Sequence, residues 1–490
     1  VSKFKKLLLG ISIFIGLGIL SQSLYPAGFT NIGEFIAGDG IKLQKYRNQL
    51  VISRDAPAYG PDDTINVLGI NTSDLITKGP WVDVRAFMDG LSGRPTYATW
   101  YADQANTDVI LVLDAANAAA KGVVYFPSGI YAISSTFVLK TNTAYLGSPS
   151  GTYPTAQEHP VSGYGAALRW IGSASGVMVS AYNVYNVMWD GIDLDGVNYT
   201  NDVTGIKHYS NNSPTSQHCT FRNFNALNLG CGMIIGDNNG VTHYQTDGWV
   251  VERFVFYKVN IGIRINSQNG SQYSSIRNGM IGCYHRGIYL HEAAGTLKIS
   301  SMSFLGLGNA AATSAWIYFY SYLGQYSISE ISGEALPGMT GWLDILIDGT
   351  STYSPITIQS SYLVGGIKVN GGGIIAKIIS IGNHYNTGQY EDTGIVLNDN
   401  NTFISIGDTF MTVDDHVHEI GVNNYVAYIN PSYWAGIVNA TQFQYTFNGV
   451  SNFRIKNTIS TYADNAAALA ASLVAGDVYK TATGQLMIVY

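Results

Sequence analysis

A tetrapeptide that keeps returning governs what this chain can become. Gly or Trp followed by apolar–x–apolar begins at Gly205, Gly232, Gly262, Gly287, Trp316, Trp342, Gly366 and Gly394. Subtracting successive starts gives spacings of 27, 30, 25, 29, 26, 24 and 28 residues. Periods of this size signal a solenoid, in which each repeat is a supersecondary unit that buries its apolar face by stacking on the next. Propeller blades need about 40–45 residues each, so a propeller does not fit. Three short strands and three turns do fit. Further alternating pieces at 219–224, 250–254, 299–304 and 356–360 supply strands between the repeats. The prediction is an all-β chain, a right-handed parallel β-helix (solenoid), with a short capping helix and small terminal regions.

Composition agrees and narrows the partners. Only 12% of the 490 residues are charged, against about 25% in soluble proteins generally. Gly (55) and Tyr (34) fill the gap, a mixture suited to strands joined by many turns. Net charge is −7, and no basic run extends beyond Lys3–Lys6, so the electrostatic footprint of a nucleic-acid binder is absent. Runs of about 18 apolar residues, which a membrane-spanning helix needs, are also absent. Cys219, Cys231 and Cys283 are odd in number and widely spaced. They read as buried free thiols, not as a disulfide framework or a metal site.

Four regions follow. In 1–23, Lys3, Lys5 and Lys6 precede the apolar run 7–20 and the small residues of 21–23. This pattern reads either as a secretory signal peptide or as a retained hydrophobic anchor or assembly segment. Region 24–80 is a small connecting part, with strands predicted at 41–44 and 49–53 and loops around Pro57, Pro61 and Pro80. The β-helix is assigned to 81–432 and a carboxy-terminal tail to 433–490. Early in the β-helix region, Asp108 stands as an N-cap before the stripe Val109, Val112, Leu113, Ala116 and Ala120, predicting an amphipathic helix. Strand–turn–strand is predicted over 122–133 around Pro127-Ser128-Gly129.

These residues carry a family resemblance. Val82-Asp83-Val84-Arg85-Ala86-Phe87, Asn106-Thr107-Asp108, and Gly122-Val123-Val124-Tyr125-Phe126-Pro127-Ser128-Gly129-Ile130-Tyr131 resemble the cap and first coil of pectate-lyase-superfamily β-helix proteins. The likeness is strongest to phage tailspikes and their polysaccharide-depolymerase relatives. Segment 462–484, with its Ala-rich helix and Gly476-Asp477-Val478-Tyr479, is similar to a phage tail protein ending. The resemblance implies a homotrimeric virion tail appendage that cleaves bacterial surface or capsular polysaccharide, joined to the phage tail or to a membrane through its amino-terminal segment. Two alternatives stay open: a secreted, extracellular polysaccharide lyase or hydrolase of the same fold, and a non-catalytic carbohydrate- or receptor-binding solenoid. Trp316, Tyr318, Phe319, Tyr320 and Tyr322 form the densest aromatic stretch, a candidate contact between subunits.

Catalytic Asp pairs of the polygalacturonase branch precede the repeat strand. Here those places hold Val203-Thr204, Leu229-Gly230-Cys231 and Asn260-Ile261, so that mechanism does not carry over. Strand alternation offers another route, because successive side chains point to opposite faces. With Ile206 and His208 inward, the outward columns read Lys207 and Tyr209, Ile234 and Gly236, Arg264 and Asn266, Tyr289 and His291, then further on Lys368 and Asn370. Tyrosine faces suit sugar rings, and cations suit carboxylates, which points to a polysaccharide, possibly anionic. Arg264, Tyr289, Lys207, Tyr209 and Arg286 are the predicted substrate contacts. Asp237 and Glu292 follow the columns two coils apart, roughly 9.6 Å, near the upper end of the spacing in inverting glycosidases. They are the candidate general acid and base, and His291 is the candidate proton acceptor if cleavage is by β-elimination. Asp190, Asp193 and Asp195 read as an Asp-Gly turn more than a cation site. Residues 414–419 carry Asp, His and Glu near the end of the repeats. No metal and no cofactor is expected, since nucleotide-binding motifs are missing.

Overall fold

The computed structural model describes residues 41–46, 49–54, 81–148, 165–210, 216–236, 246–266, 272–291, 293–320, 322–348, 355–370, 376–386, 393–398, 400–411, 415–419, 424–429, 437–439, 443–446, 461–471, 478–480 and 486–488. Asp237, Glu292, Asp414 and the whole of 1–23 lie outside them. By its contacts the chain divides into Val1–Asp74 and Leu75–Tyr490. In the first unit, Ile41–Tyr46 pairs antiparallel with Gln49–Arg54, a hairpin slightly longer than the two predicted strands.

The second unit is a parallel β-helix. Three ladders run through it, each strand hydrogen-bonded in parallel to its equivalent one coil away. One ladder begins at Trp81–Asp83 and continues through Val123–Phe126, Ala144–Gly147 and Met188–Asp190. A second begins at Gly129–Ile133 and passes through Ala166–Trp170 and Ile192–Asp195. The third, which contains the repeat motif, passes through Ser175–Tyr182, Asp202–Tyr209, then 231–235, 261–265 and 286–290. It goes on through Ala315–Phe319, Leu343–Asp348, Ile367–Asn370, Thr393–Leu397 and Asp415–Glu419. Parallel pairing reaches as far as Ile437–Asn439 and Phe443–Thr446.

The repeat motif now has physical causes. Its apolar positions point into the coil: Ile206, Met233, Ile263, Ile288, Ile317, Ile345, Ile367 and Ile395 are essentially unexposed. Each such burial stabilises the coil by roughly 1.5–3 kcal/mol. The leading glycine is a close-approach position. A Cβ at Gly205, Gly232, Gly262 or Gly287 would lie 2.5–2.7 Å from the carbonyl oxygen of the motif one coil on. Where the motif changes to Trp316 and Trp342, the indoles stack at 5.9 Å, and Gly333 and Gly306 leave the space they fill. One corner of each coil turns on a single left-handed residue: Asn223, Arg253, Asn278, Ser301, Glu330 and Ser360, with φ of 51–55°. In an L-residue this conformation costs about 1–2 kcal/mol, and the flanking ladders hold it. In the later coils, buried amides bridge the stack: Asn401 N–H donates to Asn424 Oδ1 at 2.8 Å, and Ala376 N–H to Asn401 Oδ1 at 2.8 Å.

The cap departs from expectation in detail. The helix is Ile110–Ala119, and Val109 occupies the N-cap position without a side-chain bond. Asp108, one residue too early to cap, accepts from Ile110 N–H at 3.1 Å and from the Ser134 hydroxyl. A second short helix, Tyr97–Ala102, packs Trp100 under Tyr131. The predicted carboxy-terminal helix is Asn465–Ala470, capped by Asp464. All three cysteines are buried free thiols. Among the described residues no helix is long and apolar enough to cross a membrane.

The aromatic stretch proposed as a subunit contact is mostly interior. Trp316 and Phe319 point into the coil and are fully buried, and Tyr318 is 2% exposed under its neighbours. Tyr320 alone of these four reaches solvent, at 45%; nothing is described of the Tyr322 side chain. Alternation puts Phe319 inside with Ile317, and Tyr320 outside, while Trp316 is interior against that alternation, its indole filling the space beside Gly333.

Candidate functional site

The outward columns of the third ladder hold the chemistry. Register places Ile234 beside Arg264, Arg264 beside Tyr289, Tyr289 beside Tyr318 and Tyr318 beside Leu346. Tyr289 and Tyr318 stack with centroids 5.1 Å apart and planes 13° apart. Arg286 lies over both rings, 4.2 Å from the first and 4.3 Å from the second, while Arg264 stands 5.5 Å from the Tyr289 ring. Both are cation–π contacts by distance. In the next column His291 stacks on Tyr320 at 5.2 Å and 11°, edge-on to Tyr289 at 5.3 Å.

A bulge directly precedes Arg286. The pairing of Val250–Ile265 with Ser274–Leu290 shifts register around Val259: Val259 faces Cys283, yet Ile261 faces Arg286. An extra residue on the facing strand at Lys258 compensates, so the register after the bulge is the one before it, and Tyr284, His285 and Arg286 are half-buried there. Thr313, on the loop before Ala315–Phe319, then holds both neighbours. Arg286 Nη2 donates to Thr313 Oγ1 at 3.1 Å and Nε to its carbonyl at 3.3 Å; His285 Nε2 is 3.0 Å from the same hydroxyl. Arg264 Nε donates to Asn266 Oδ1 at 2.9 Å. Tyr318 donates its hydroxyl to Asp348 Oδ2 at 3.0 Å.

Beneath these polar groups lies a satellite apolar cluster of Tyr289, Ala315, Tyr318, Leu343 and Leu346, separate from the interior of the coil. Burial therefore tunes the site. It pushes the Tyr289 and Tyr318 phenols up, Asp348 adding to the effect at Tyr318. It lowers His285, helped by the adjacent Arg286 charge. His285 is thus neutral at physiological pH.

Of the predicted residues, the structure brings Arg264, Arg286, Tyr289 and His291 together. Lys207 and Tyr209 stand in the same columns on an earlier coil, with Lys207 4.3 Å above the Tyr209 ring. Asp237 and Glu292 lie outside the described residues, each directly after a described member of the column, Gly236 and His291. Missed from sequence were Tyr318, Tyr320, Asp348 and Thr313. Tyr318 and Tyr320 were readable, because the register rule carried one coil past Tyr289 and His291 gives them. Asp348 was not, because Ile317 pairs with Ile345 and not with Leu343, two residues away from where the repeat starting at Trp342 puts it. Thr313 had no local signal. Asp190, Asp193 and Asp195 are committed to structure: Asp190 accepts from Arg222 and Asn223, Asp193 from Asn225 N–H, and Asp195 from Val197 N–H and Asn228. Glu252, on the strand Val250–Ile265, is paired with Arg277 at 2.7 Å and Arg253 at 3.4 Å.

With this geometry in hand, residues 102–312 match the family model described as Rhamnogalacturonase A/epimerase, pectate lyase-like, so this stretch is similar to that family. No curated protein matches the chain by sequence. Among solved structures it is similar to DFA-IIIase from Arthrobacter chlorophenolicus A6 without its lid, at 14% identity and TM-score 0.44, covering 74% of this chain and 94% of that one. It is also similar to the A-module of mannuronan C-5 epimerase AlgE4 from Azotobacter vinelandii, at 16% identity and TM-score 0.45, covering 75% and 100%. A third is the catalytic unit of GH87 alpha-1,3-glucanase from Streptomyces thermodiastaticus strain HF3-3, at 12% identity and TM-score 0.46, covering 67% and 66%.

Proposed function

We propose that this chain is a carbohydrate-active enzyme, an endo-acting depolymerase of a bacterial surface or capsular polysaccharide with acidic sugars. The observation that carries the reading is the outward cluster in which two guanidinium groups lie against a tyrosine pair beside His291, Tyr320 and Asp348. Guanidinium groups take carboxylates in pairs of hydrogen bonds, the buried tyrosine pair supports them from below, and Tyr320, 45% exposed, offers ring surface to a sugar. The family matched over 102–312 is named for carbohydrate chemistry, which supports the same class.

Two bond-breaking routes belong to this proposal. In hydrolysis, one of Asp237 and Glu292 protonates the glycosidic oxygen, while the other takes a proton from the water that attacks the anomeric carbon. In β-elimination, Arg264 and Arg286 neutralise the uronate carboxylate and His291 removes the proton α to it. The electron pair then forms the double bond as the β C–O bond breaks, and the departing oxygen takes a proton from water to become the new hydroxyl end. The tailspike role, in which the enzyme opens the host capsule from a virion, is part of this proposal.

Incubation with a panel of purified capsules tests it. A fall in polymer size is expected with one of them, and ultraviolet absorbance of an unsaturated uronate identifies elimination. Asp237→Asn and Glu292→Gln should each slow hydrolysis about 10²–10⁴-fold with unchanged melting; if elimination operates, His291→Ala carries that loss instead. Retention of capsule without any cleavage would replace the enzyme by a binding solenoid.

A further inference from the structure

The cation-on-tyrosine arrangement occurs twice in the same columns. Tyr182 and Tyr209 are register partners on adjacent coils, their ring centroids 4.8 Å apart. Lys207 Nζ lies 4.3 Å from the centre of the Tyr209 ring. All three side chains are half-buried, so the group is anchored yet open to solvent. Register runs from Lys207 through Ile234 and Arg264 to Tyr289. Three interstrand steps separate the two groups, roughly 14 Å, several sugar rings in length. Between Tyr209 and His291 their column holds Gly236, which has no side chain, and Asn266, which is 9% exposed. The described floor between the groups is therefore low.

We infer that Lys207, Tyr209 and Tyr182 form a second subsite for an acidic sugar, engaged by the same polymer strand that occupies the Arg264–Tyr289 cluster. The inference rests on the polysaccharide reading above and adds direction and length to it. A strand touching both groups lies along the axis of the coil stack. An oligosaccharide too short to span three coils gains nothing from the second group. Tyr209 supplies a ring face, and the compact Lys207 ammonium supplies a charge that pairs with a carboxylate in any orientation.

Affinity electrophoresis tests this without needing catalysis. The full chain, Tyr209→Ala and Lys207→Gln are run in native gels holding hyaluronan, alginate, polygalacturonate or neutral dextran. At least one acidic polymer is expected to retard the wild type, and dextran not to. Each variant should show a dissociation constant for that polymer raised about three- to tenfold, the effect of losing one aromatic or cationic contact. A disaccharide of the same polymer should compete equally against all three proteins. Thermal melting confirms that the variants are folded, and Lys207→Gln, on an exposed-side column, serves if Tyr209→Ala melts early. Retardation by none of the acidic polymers, equal retardation by dextran, or undiminished retention of both variants overturns the subsite. Retention that weakens as expected without cleavage leaves the subsite standing and removes the enzyme. Cleavage with undiminished retention of the variants removes the subsite alone.

Discussion

Two buried titratable side chains give this protein opposite pH slopes. Asp344 is fully buried and accepts N–H bonds from Gly365 at 2.6 Å and Gly366 at 2.8 Å, both on Oδ2. Burial pushes its carboxyl up to about 8, so the folded chain keeps a proton that the unfolded chain releases near 3.8. That contribution to stability is whole below pH 3.8 and drains away as pH climbs to about 8. Asp344→Asn keeps one oxygen for both glycines and cannot ionise. Melting temperature followed from pH 4 to about 8 should fall less in the variant; an equal fall would show that Asp344 does not titrate there. His208 works in the other direction. It is buried beside Phe221 at 5.5 Å, and its Nε2 has no hydrogen-bond partner among the described residues. Burial lowers it from 6.5 to about 4. The neutral ring's contribution is whole above pH 6.5 and is lost as pH falls towards 4. His208→Leu should flatten the acid side of the melting profile, and an unchanged acid slope would count against it.

At the scale of the coil, the leading glycine of the repeat governs how closely successive strands approach. A Cβ at Gly262 would sit 2.5 Å from the Gly287 carbonyl oxygen and 2.6 Å from the Ile281 side chain. Its backbone is not in the left-handed region, so the penalty is close contact alone. Gly262→Ala should cost about 1–3 kcal/mol in urea unfolding, the usual cost of overpacking. A loss below a few tenths would mean that the ladder relaxes locally. By contrast, Trp316 occupies the glycine position, where Gly333 vacates the facing volume, whereas in the next coil the register gives that position to Asp344, two residues after Trp342. The motif is therefore a volume rule shared between two ladders. At the site the local irregularity is the paired register shift at Lys258 and Tyr284–His285, directly before Arg286, which lies against the faces of Tyr289 and Tyr318.

For the whole molecule, we propose a homotrimer, as the tailspike resemblance implies. Light scattering should return three times the chain mass of 52.9 kDa, and a monomeric mass would remove the proposal. The surface that would mediate it is not the 316–322 stretch, most of which is interior. The three thiols give a check on the fold as a whole. Burial raises each of them, Cys219 and Cys231 to about 12, so a thiolate-directed reagent should leave native protein unlabelled for as long as it stays folded. All three should react once it is denatured. Rapid labelling of native protein would show that coils open locally.

The repeat, its period and the inward set from Ile206 to Ile395 were legible in the chain, because strand alternation and coil length are local periodicities. So were Arg264, Tyr289 and His291, which share columns by register alone. Tyr318 obeyed the same rule, but its burial did not follow from it: an outward side chain becomes interior only when neighbours such as Leu343 and Leu346 of the next coil cover it. The placement of Arg286 needed still more, a paired register shift read against the preceding coil and a threonine 27 residues further on. Sequence by itself determined the solenoid and the alternation along most of its strands, since both arise within one coil. Only the tertiary structure decided which outward residues meet, because those contacts form between coils and loops whose mutual position no local pattern encodes.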